Sequence, residues 1–126
     1  IEFPSVVINK QSCQLQLING NYKTDIASAR TFGFEKDVEN LRSNGLALGG
    51  SLENAVVVGV DKILNKEGLR FKDEFVRHKI LDSIGDLYLA GSPIHAYFYG
   101  KKSGHFLNNQ LLRKLFSDKS NFEYID

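Results

Sequence analysis

The sequence contains no methionine, no tryptophan and a single cysteine, Cys13, among its 126 residues. One cysteine excludes an intrachain disulfide and fits a reducing compartment such as the cytosol. Because methionine is absent and the chain starts at Ile1, in what resembles the middle of a strand, we expect a piece of a longer polypeptide. The pattern favours its C-terminal part.

The chain also lacks an excess of positive or negative charge and any long apolar run. Sixteen Lys and Arg residues stand against fifteen Asp and Glu residues, and no basic run alternates with aromatics, so we expect no nucleic-acid partner. The longest aliphatic run, Ala55 to Val58, is far shorter than the roughly 20 residues of a membrane-spanning helix. We therefore expect no transmembrane segment, and no secretory signal is visible. The hydrophobic content of 42% is enough for one domain with a real core.

Periodicity predicts both strands and helices. Alternating residues predict a hairpin of Val6 to Ile8 with Cys13 to Ile18, and a further strand at Ile94 to Tyr99. A β-branched run predicts a buried strand from Ala55 to Val60. We expect an α+β fold: a two-layer sandwich with a mostly antiparallel sheet, two main helices on one face, and a small β-α-β insert.

Four helices are expected, each with its own boundary signal. The first is capped by Thr24 or Asp25 and runs to Arg30, and the second runs from Glu35 to Ser43 and stops at Asn44-Gly45. The third is capped by Asp73, ends near Ala90-Gly91 and has the core stripe Val76, Ile80, Ile84 and Leu87. The fourth is opened by Ser103 and has the stripe Leu107, Leu111 and Leu115.

The third predicted helix carries an imidazole and a carboxylate four residues apart, at His78 and Asp82. Rotation of about 100° per residue places both on one face with Gly85, away from the core stripe. Such a pair can bind one cation, and catalytic zinc keeps three protein ligands and one water. A solvated helix face is the alternative interpretation. Neither His95, in the predicted strand, nor Cys13, in the hairpin, supplies a convincing third ligand.

Two further segments could carry chemistry. His105 follows a glycine at the start of the last helix, where it would face solvent or a cleft, and Asp86 could orient it; an exposed helix-start histidine is the alternative. Thr31 precedes Phe32 at the predicted junction of two short helices, where its hydroxyl could polarise a carbonyl; a turn anchored by aromatics is the alternative. The glycine-rich segment 45–52 matches neither the phosphate-loop nor the dinucleotide pattern.

Taken in order, these segments resemble the family of UDP-3-O-acyl-N-acetylglucosamine deacetylase, the zinc amidase of lipid A synthesis. The resemblance extends from about Ser28 to Leu115. The matching blocks are Ser28-Ala29-Arg30-Thr31-Phe32-Gly33-Phe34, Leu48-Gly49-Gly50-Ser51, Leu69-Arg70-Phe71, Asp73-Glu74-Phe75-Val76-Arg77-His78-Lys79, Leu81-Asp82, Ile84-Gly85-Asp86-Leu87, Lys102-Ser103-Gly104-His105 and Leu107-Asn108-Asn109.

The resemblance implies a Zn²⁺ cofactor, the UDP-linked acyl sugar as substrate, and a set of site residues. The implied zinc ligands are His78 and Asp82, the implied catalytic histidine is His105, oriented by Asp86, and Lys79 and Thr31 would contact the substrate or the developing oxyanion. The implied acyl passage is lined by Phe32, Ala47, Ser51, Leu52, Ala55 and Val57.

The resemblance also implies a second, missing half. The family has two similar domains, so residues 1–126 are expected to be a partial C-terminal domain whose partner is the N-terminal domain of the same parent chain. That domain would bring the third zinc histidine and a glutamate general base, so this piece alone is expected to be inactive. The parent is expected to be a monomer in the cytoplasm of a Gram-negative bacterium. The alternatives are a non-catalytic module that binds acyl chains or nucleotide sugars, and a structural half that donates ligands to another chain.

Overall fold

A computed structural model describes residues 1–125 and contains two compact units, Ile1–His78 and a second unit that begins at Lys79. The boundary falls inside α3, which is one continuous helix. The elements are α1 (Asn21–Asp25), β1 (Thr31–Phe34), α2 (Glu35–Ser43), β2 (Ala55–Val58), α3 (Glu74–Leu87), α4 (His105–Leu115), and the 3₁₀ turns Tyr88–Ala90 and Lys119–Asn121.

The sheet of the first unit consists of β1 and β2, which pair in parallel. Thr31 lies opposite Ala55, and Phe34 lies opposite Val58. Parallel pairing follows from the connection, because a chain that leaves one strand through a helix returns to the same end of the sheet. A β-α-β unit is therefore present where an insert was expected. The prediction of a mostly antiparallel sheet is wrong, although both helices and strands are present as an α+β class requires.

The predicted hairpin and the predicted strand at Ile94 to Tyr99 do not form. Within residues 1–125, the N-terminal segment makes only an isolated antiparallel bridge between Glu2 and Lys10, and residues 94–99 lie exposed outside any strand. Alternation shows which side chains share a face of a strand, but a ladder also needs a partner for its backbone N–H and C=O groups. These segments find no such partner among the described residues.

The core of the first unit lies under the sheet. Val56 and Val58 of β2 are buried with Phe75 of α3 and Ile8 of the N-terminal segment. The ring of Phe32 meets that of Phe75 edge to face at 5.0 Å. The strand β1, which carries Thr31, is therefore packed against the start of the helix that carries His78.

The helix boundaries agree with prediction in two cases. α2 ends at Ser43, and Gly45 follows with a left-handed φ of 73°. α3 begins directly after Asp73 and continues as the turn Tyr88–Ala90 before Gly91, whose φ is 80°.

Three other predictions about the helices are wrong. α1 ends at Asp25 instead of reaching Arg30, and the segment predicted as a junction of helices is β1. The stripe expected on α4 is not buried, because Leu107 and Leu111 are 51% and 46% exposed. The buried residues of α4 are Asn108 and Leu112, one helical turn apart.

The helices of residues 1–125 are all shorter or more polar than a membrane-crossing helix requires.

Candidate metal and catalytic site

His78 is held by the backbone of the segment before β1. Its Nδ1 atom lies 3.0 Å from the carbonyl oxygen of Ala29, which is buried. A carbonyl can only accept, so Nδ1 carries the proton and donates it. The neutral ring then has its lone pair on Nε2. A histidine that ligates a metal usually shows this arrangement, because the bond from the second nitrogen sets the tautomer and the ring orientation.

Phe32, the residue after Thr31, contacts this histidine from a second side. The Phe32 ring lies 6.4 Å from the His78 ring in an edge-to-face arrangement. Successive side chains of a strand alternate, so exposed Thr31 points to the other face of the sheet from Phe32. The structure thus brings the Ala29–Phe32 segment and His78 together, a proximity that residue types alone did not predict.

Asp82 follows His78 by one turn of α3, which corresponds to about 6 Å along the helix axis. Its side chain is 16% exposed, and Lys79 Nζ lies 3.8 Å from its Oδ2 atom. Gly85 presents no obstacle on the next turn, since a Cβ placed there would meet no atom within 4 Å. Both residues lie on one continuous helix, as predicted, and their role as metal ligands stays a prediction.

His105 and Asp86 form a hydrogen-bonded pair in the second unit. His105 is the first residue of α4, and its Nδ1 atom lies 2.8 Å from Asp86 Oδ2. The carboxylate accepts this bond, so a proton of His105 is on Nδ1. The His105 side chain is 65% exposed, whereas that of Asp86 is 16% exposed. Lys79 also lies near the start of α4. Its Nζ atom is close to Gly104, the residue before His105, because a Cβ atom placed on this glycine would be 4.0 Å from Nζ.

Sequence reasoning missed the groups that hold Asp86. Asn108, 2% exposed, donates from Nδ2 to Asp86 Oδ2 at 2.9 Å and to Ser83 Oγ at 3.3 Å. Ser83 is also buried, and its hydroxyl donates to the Lys79 carbonyl at 3.0 Å. Each donor thus has an acceptor, which fixes the carboxylate beside His105. The sequence signal for this network was a polar residue, Asn108, beside the leucines of the last helix, and its burial became apparent only in the structure.

The residues predicted for the acyl passage do not share one face. Phe32 lies on the core side of the sheet with Val56, whereas Ala55 and Val57 point to the opposite side, the side of Thr31. The three remaining residues of the prediction, Ala47, Ser51 and Leu52, are exposed in the loop between α2 and β2. The passage stays a prediction.

In the part of the chain that the structure describes, neither alternative ligand joins His78 and Asp82 in a group that could hold a metal. His95 is exposed outside any helix or strand. Burial raises the pKa of the Cys13 thiol, although Arg77 opposes the shift, so the thiolate that zinc prefers is disfavoured. Among residues 1–125, no group of three His, Cys, Asp or Glu side chains is arranged to hold a metal.

Comparison with known proteins gives one consistent result. Residues 1–117 match the family model "LpxC: UDP-3-O-acyl N-acetylglycosamine deacetylase". The chain is 55% identical over 124 residues to the UDP-3-O-acyl-N-acetylglucosamine deacetylase of Psychrobacter cryohalolentis, covering 98% of this chain and 39% of that protein. It is also 55% identical over 127 residues to the enzyme of that name from Psychrobacter arcticus, covering 99% of this chain and 40% of that protein. The chain thus spans about two fifths of the length of these relatives. On this evidence, the chain belongs to the UDP-3-O-acyl-N-acetylglucosamine deacetylase family.

Proposed function

We propose that this chain is part of a zinc-dependent deacetylase of lipid A biosynthesis. The enzyme hydrolyses the acetamide of UDP-3-O-acyl-N-acetylglucosamine and yields acetate and the free amine. Membership of the deacetylase family supports the reaction class and the substrate. We place the reaction in the cytoplasm of a Gram-negative bacterium, where a nucleotide-linked sugar is made.

The observation that carries the metal part of the proposal is the bond from His78 Nδ1 to the Ala29 carbonyl. It leaves Nε2 with its lone pair, so His78 fits a zinc ligand, and Asp82 on the next turn fits a second one. When bound, zinc would polarise a carbonyl group and lower the pKa of water toward neutrality, to about 7.

His105 and Asp86 fit a role in proton transfer and charge stabilisation. A general base takes a proton from water as the water adds to the acetamide carbonyl, and the resulting tetrahedral intermediate carries a negative charge. In its protonated form, His105 can stabilise that charge from Nε2 or give a proton to the leaving amine, because Nδ1 is bonded to Asp86. Asp86 stabilises the imidazolium and holds the ring in place.

Lys79 and Thr31 fit roles toward the substrate. The Lys79 ammonium is an electrostatic partner for negative charge near the start of α4. The exposed Thr31 hydroxyl, at the first position of β1, can donate to an oxygen of the substrate. Lys79 would act on charge that grows during the reaction, whereas Thr31 would contact an oxygen of the substrate on its own face of β1.

We propose that the third zinc ligand and the general base lie outside these 126 residues, in the N-terminal domain of the same parent chain. The chain contributes two ligands on α3, whereas catalytic zinc has three protein ligands. The 126-residue chain by itself is therefore expected to turn over little or no substrate.

A chelation experiment tests the proposed function. The full protein, as its gene encodes it, is incubated with UDP-3-O-acyl-N-acetylglucosamine, and acetate release is measured. We expect chelation of the metal to abolish acetate release and added zinc to restore it. Binding of the substrate without acetate release at any zinc concentration would instead indicate a non-catalytic binding module and contradict the proposal.

Asn108 is expected to affect kcat more than KM. In Asn108→Ala, Asp86 loses one of two donors to Oδ2, and we expect kcat to fall about tenfold because His105 is less well oriented. The matched control is Asn109→Ala, which removes only a surface bond to the His105 carbonyl. Steady-state kinetics on both variants decide the question. Equal kinetics in the two variants would show that the buried network does not support catalysis.

A further inference from the structure

An ion pair is completely enclosed in the first unit. The Arg30 side chain is 4% exposed and the Glu74 side chain is 0% exposed. The guanidinium donates through Nε to Glu74 Oε1 at 3.2 Å and through Nη2 to Oε2 at 3.0 Å, a two-pronged geometry. The remaining donors reach Glu67 Oε1 at 2.9 Å and the Gly68 carbonyl at 2.8 Å. The bond to Glu74 is the largest cause that raises the pKa of Arg30, so the cation is retained.

Stability alone is a weak reason for such a pair. Removing two charges from water costs about as much free energy as their attraction returns, and apolar residues of similar volume often give equal or greater stability. What the pair does specify is position. Its two hydrogen bonds hold the backbone around Arg30 against the start of α3, and a shift of one residue would break both of them.

Each residue of the pair lies close in sequence to one partner of the hydrogen bond between His78 and Ala29. Arg30 follows Ala29, whose carbonyl accepts from His78 Nδ1, and precedes Thr31 of β1. Glu74 is the first residue of α3 and lies one turn before His78. The ion pair therefore holds the Ala29–Thr31 backbone against α3, one turn away from the His78 imidazole.

We infer that Arg30 and Glu74 are positioning residues for His78. Their ion pair keeps the Ala29 carbonyl at Nδ1 and so keeps the proton on Nδ1 and the lone pair on Nε2, the tautomer that binds a metal through Nε2. This inference rests on the proposed function only where zinc is concerned. An unconstrained neutral histidine in water favours the proton on Nε2, so loss of the pair should shift the tautomer and weaken metal binding together.

Substitutions that separate position from stability test this inference in the full encoded protein. Arg30→Met combined with Glu74→Leu replaces the pair by apolar side chains and should leave urea unfolding close to that of the wild type. Glu74→Gln keeps the size of one partner. The matched control is Glu67→Gln, which alters an exposed partner of the same guanidinium that lies outside α3.

Two readouts are measured. Zinc affinity is obtained by competition with a chelator, and the His78 tautomer is obtained by ¹⁵N NMR of the metal-free protein. For the double variant and Glu74→Gln we expect zinc affinity to fall about tenfold, at the low end of the loss seen when a group that orients a ligand is removed. We also expect the Nε2–H tautomer to become populated. Glu67→Gln should change neither.

Unchanged zinc affinity and an unchanged Nδ1–H tautomer in a folded double variant would overturn the inference. If the double variant does not fold, the tautomer of Glu74→Gln decides in the same way. The metal-free measurement also separates this inference from the proposed function. A wild type that binds no zinc would refute the zinc site, while the tautomer comparison would still report on positioning.

Discussion

Replacing His78 by alanine is expected to remove bound zinc and to lower acetate release by several orders of magnitude in the full encoded protein. The substitution deletes the proposed metal ligand, the Nε2 atom, which carries the lone pair because Nδ1 donates to the Ala29 carbonyl. With Asp82 as the sole ligand from α3, coordination falls below what a catalytic zinc site needs. Without the metal, the pKa of the attacking water returns to its much higher value in bulk solvent, which explains the size of the expected loss. Metal content and initial rates are both measured.

His95→Ala is the matched control for this substitution. His95 is exposed and lies outside any helix or strand, so its loss should leave zinc content and rate within about twofold of the wild type. The metal assignment is wrong if His78→Ala retains full zinc content and full deacetylation.

Replacing His105 by alanine is expected to lower kcat by about 10²- to 10⁴-fold, the usual contribution of a positioned acid or base, while bound zinc is retained. The ring is paired with Asp86 and lies on α4, away from the proposed ligands in sequence. Retained zinc with a lost rate distinguishes this effect from that of His78→Ala. Metal content and kcat of the purified variant are the two measurements.

Added imidazole provides a control for the His105 substitution. Because the side chain is 65% exposed, a small base can reach the gap from solvent, and we expect partial recovery of kcat. A His105→Ala enzyme with a wild-type rate would remove His105 from the mechanism. Loss of zinc from this variant would instead assign His105 to the metal site.

Helices with clear end signals could be predicted from the sequence, and so could the face shared by His78 and Asp82. Asn44-Gly45 marks the end of α2, and the apolar spacing after Asp73 marks α3. These features depend on residues close together in sequence, where 3.6-residue periodicity and local φ preferences act. The α3 prediction therefore placed both proposed ligands correctly on one helix.

The sheet could not be predicted in the same way. Residues 13–18 and 94–99 alternate as strands do, yet alternation contains no information about which segment supplies the opposing hydrogen bonds. β1 was missed because four residues with a central glycine resemble a turn as much as a strand. The partner of β1 is separated from it by α2 and a loop, and that connection makes the pair parallel.

The groups that orient the site could not be predicted, for three further reasons. The Ala29 carbonyl is a backbone atom, so no residue type announces it. Arg30 and Glu74 are 44 positions apart, and their contact arises only when β1 packs on α3. Asn108 was overlooked because a pattern of leucines suggested another buried face for α4, whereas hydrogen bonds to Asp86 and Ser83 make an inward asparagine favourable.

The most direct test of the proposed metal site is a crystal structure of the zinc-loaded protein with data collected at the zinc absorption edge. We expect an anomalous peak about 2.0 to 2.1 Å from His78 Nε2 and about 2.0 to 2.2 Å from an Asp82 carboxylate oxygen. We also expect Nδ1 still to donate to the Ala29 carbonyl. Zinc bound through Nδ1, or at a position that excludes His78, would contradict the proposed metal site.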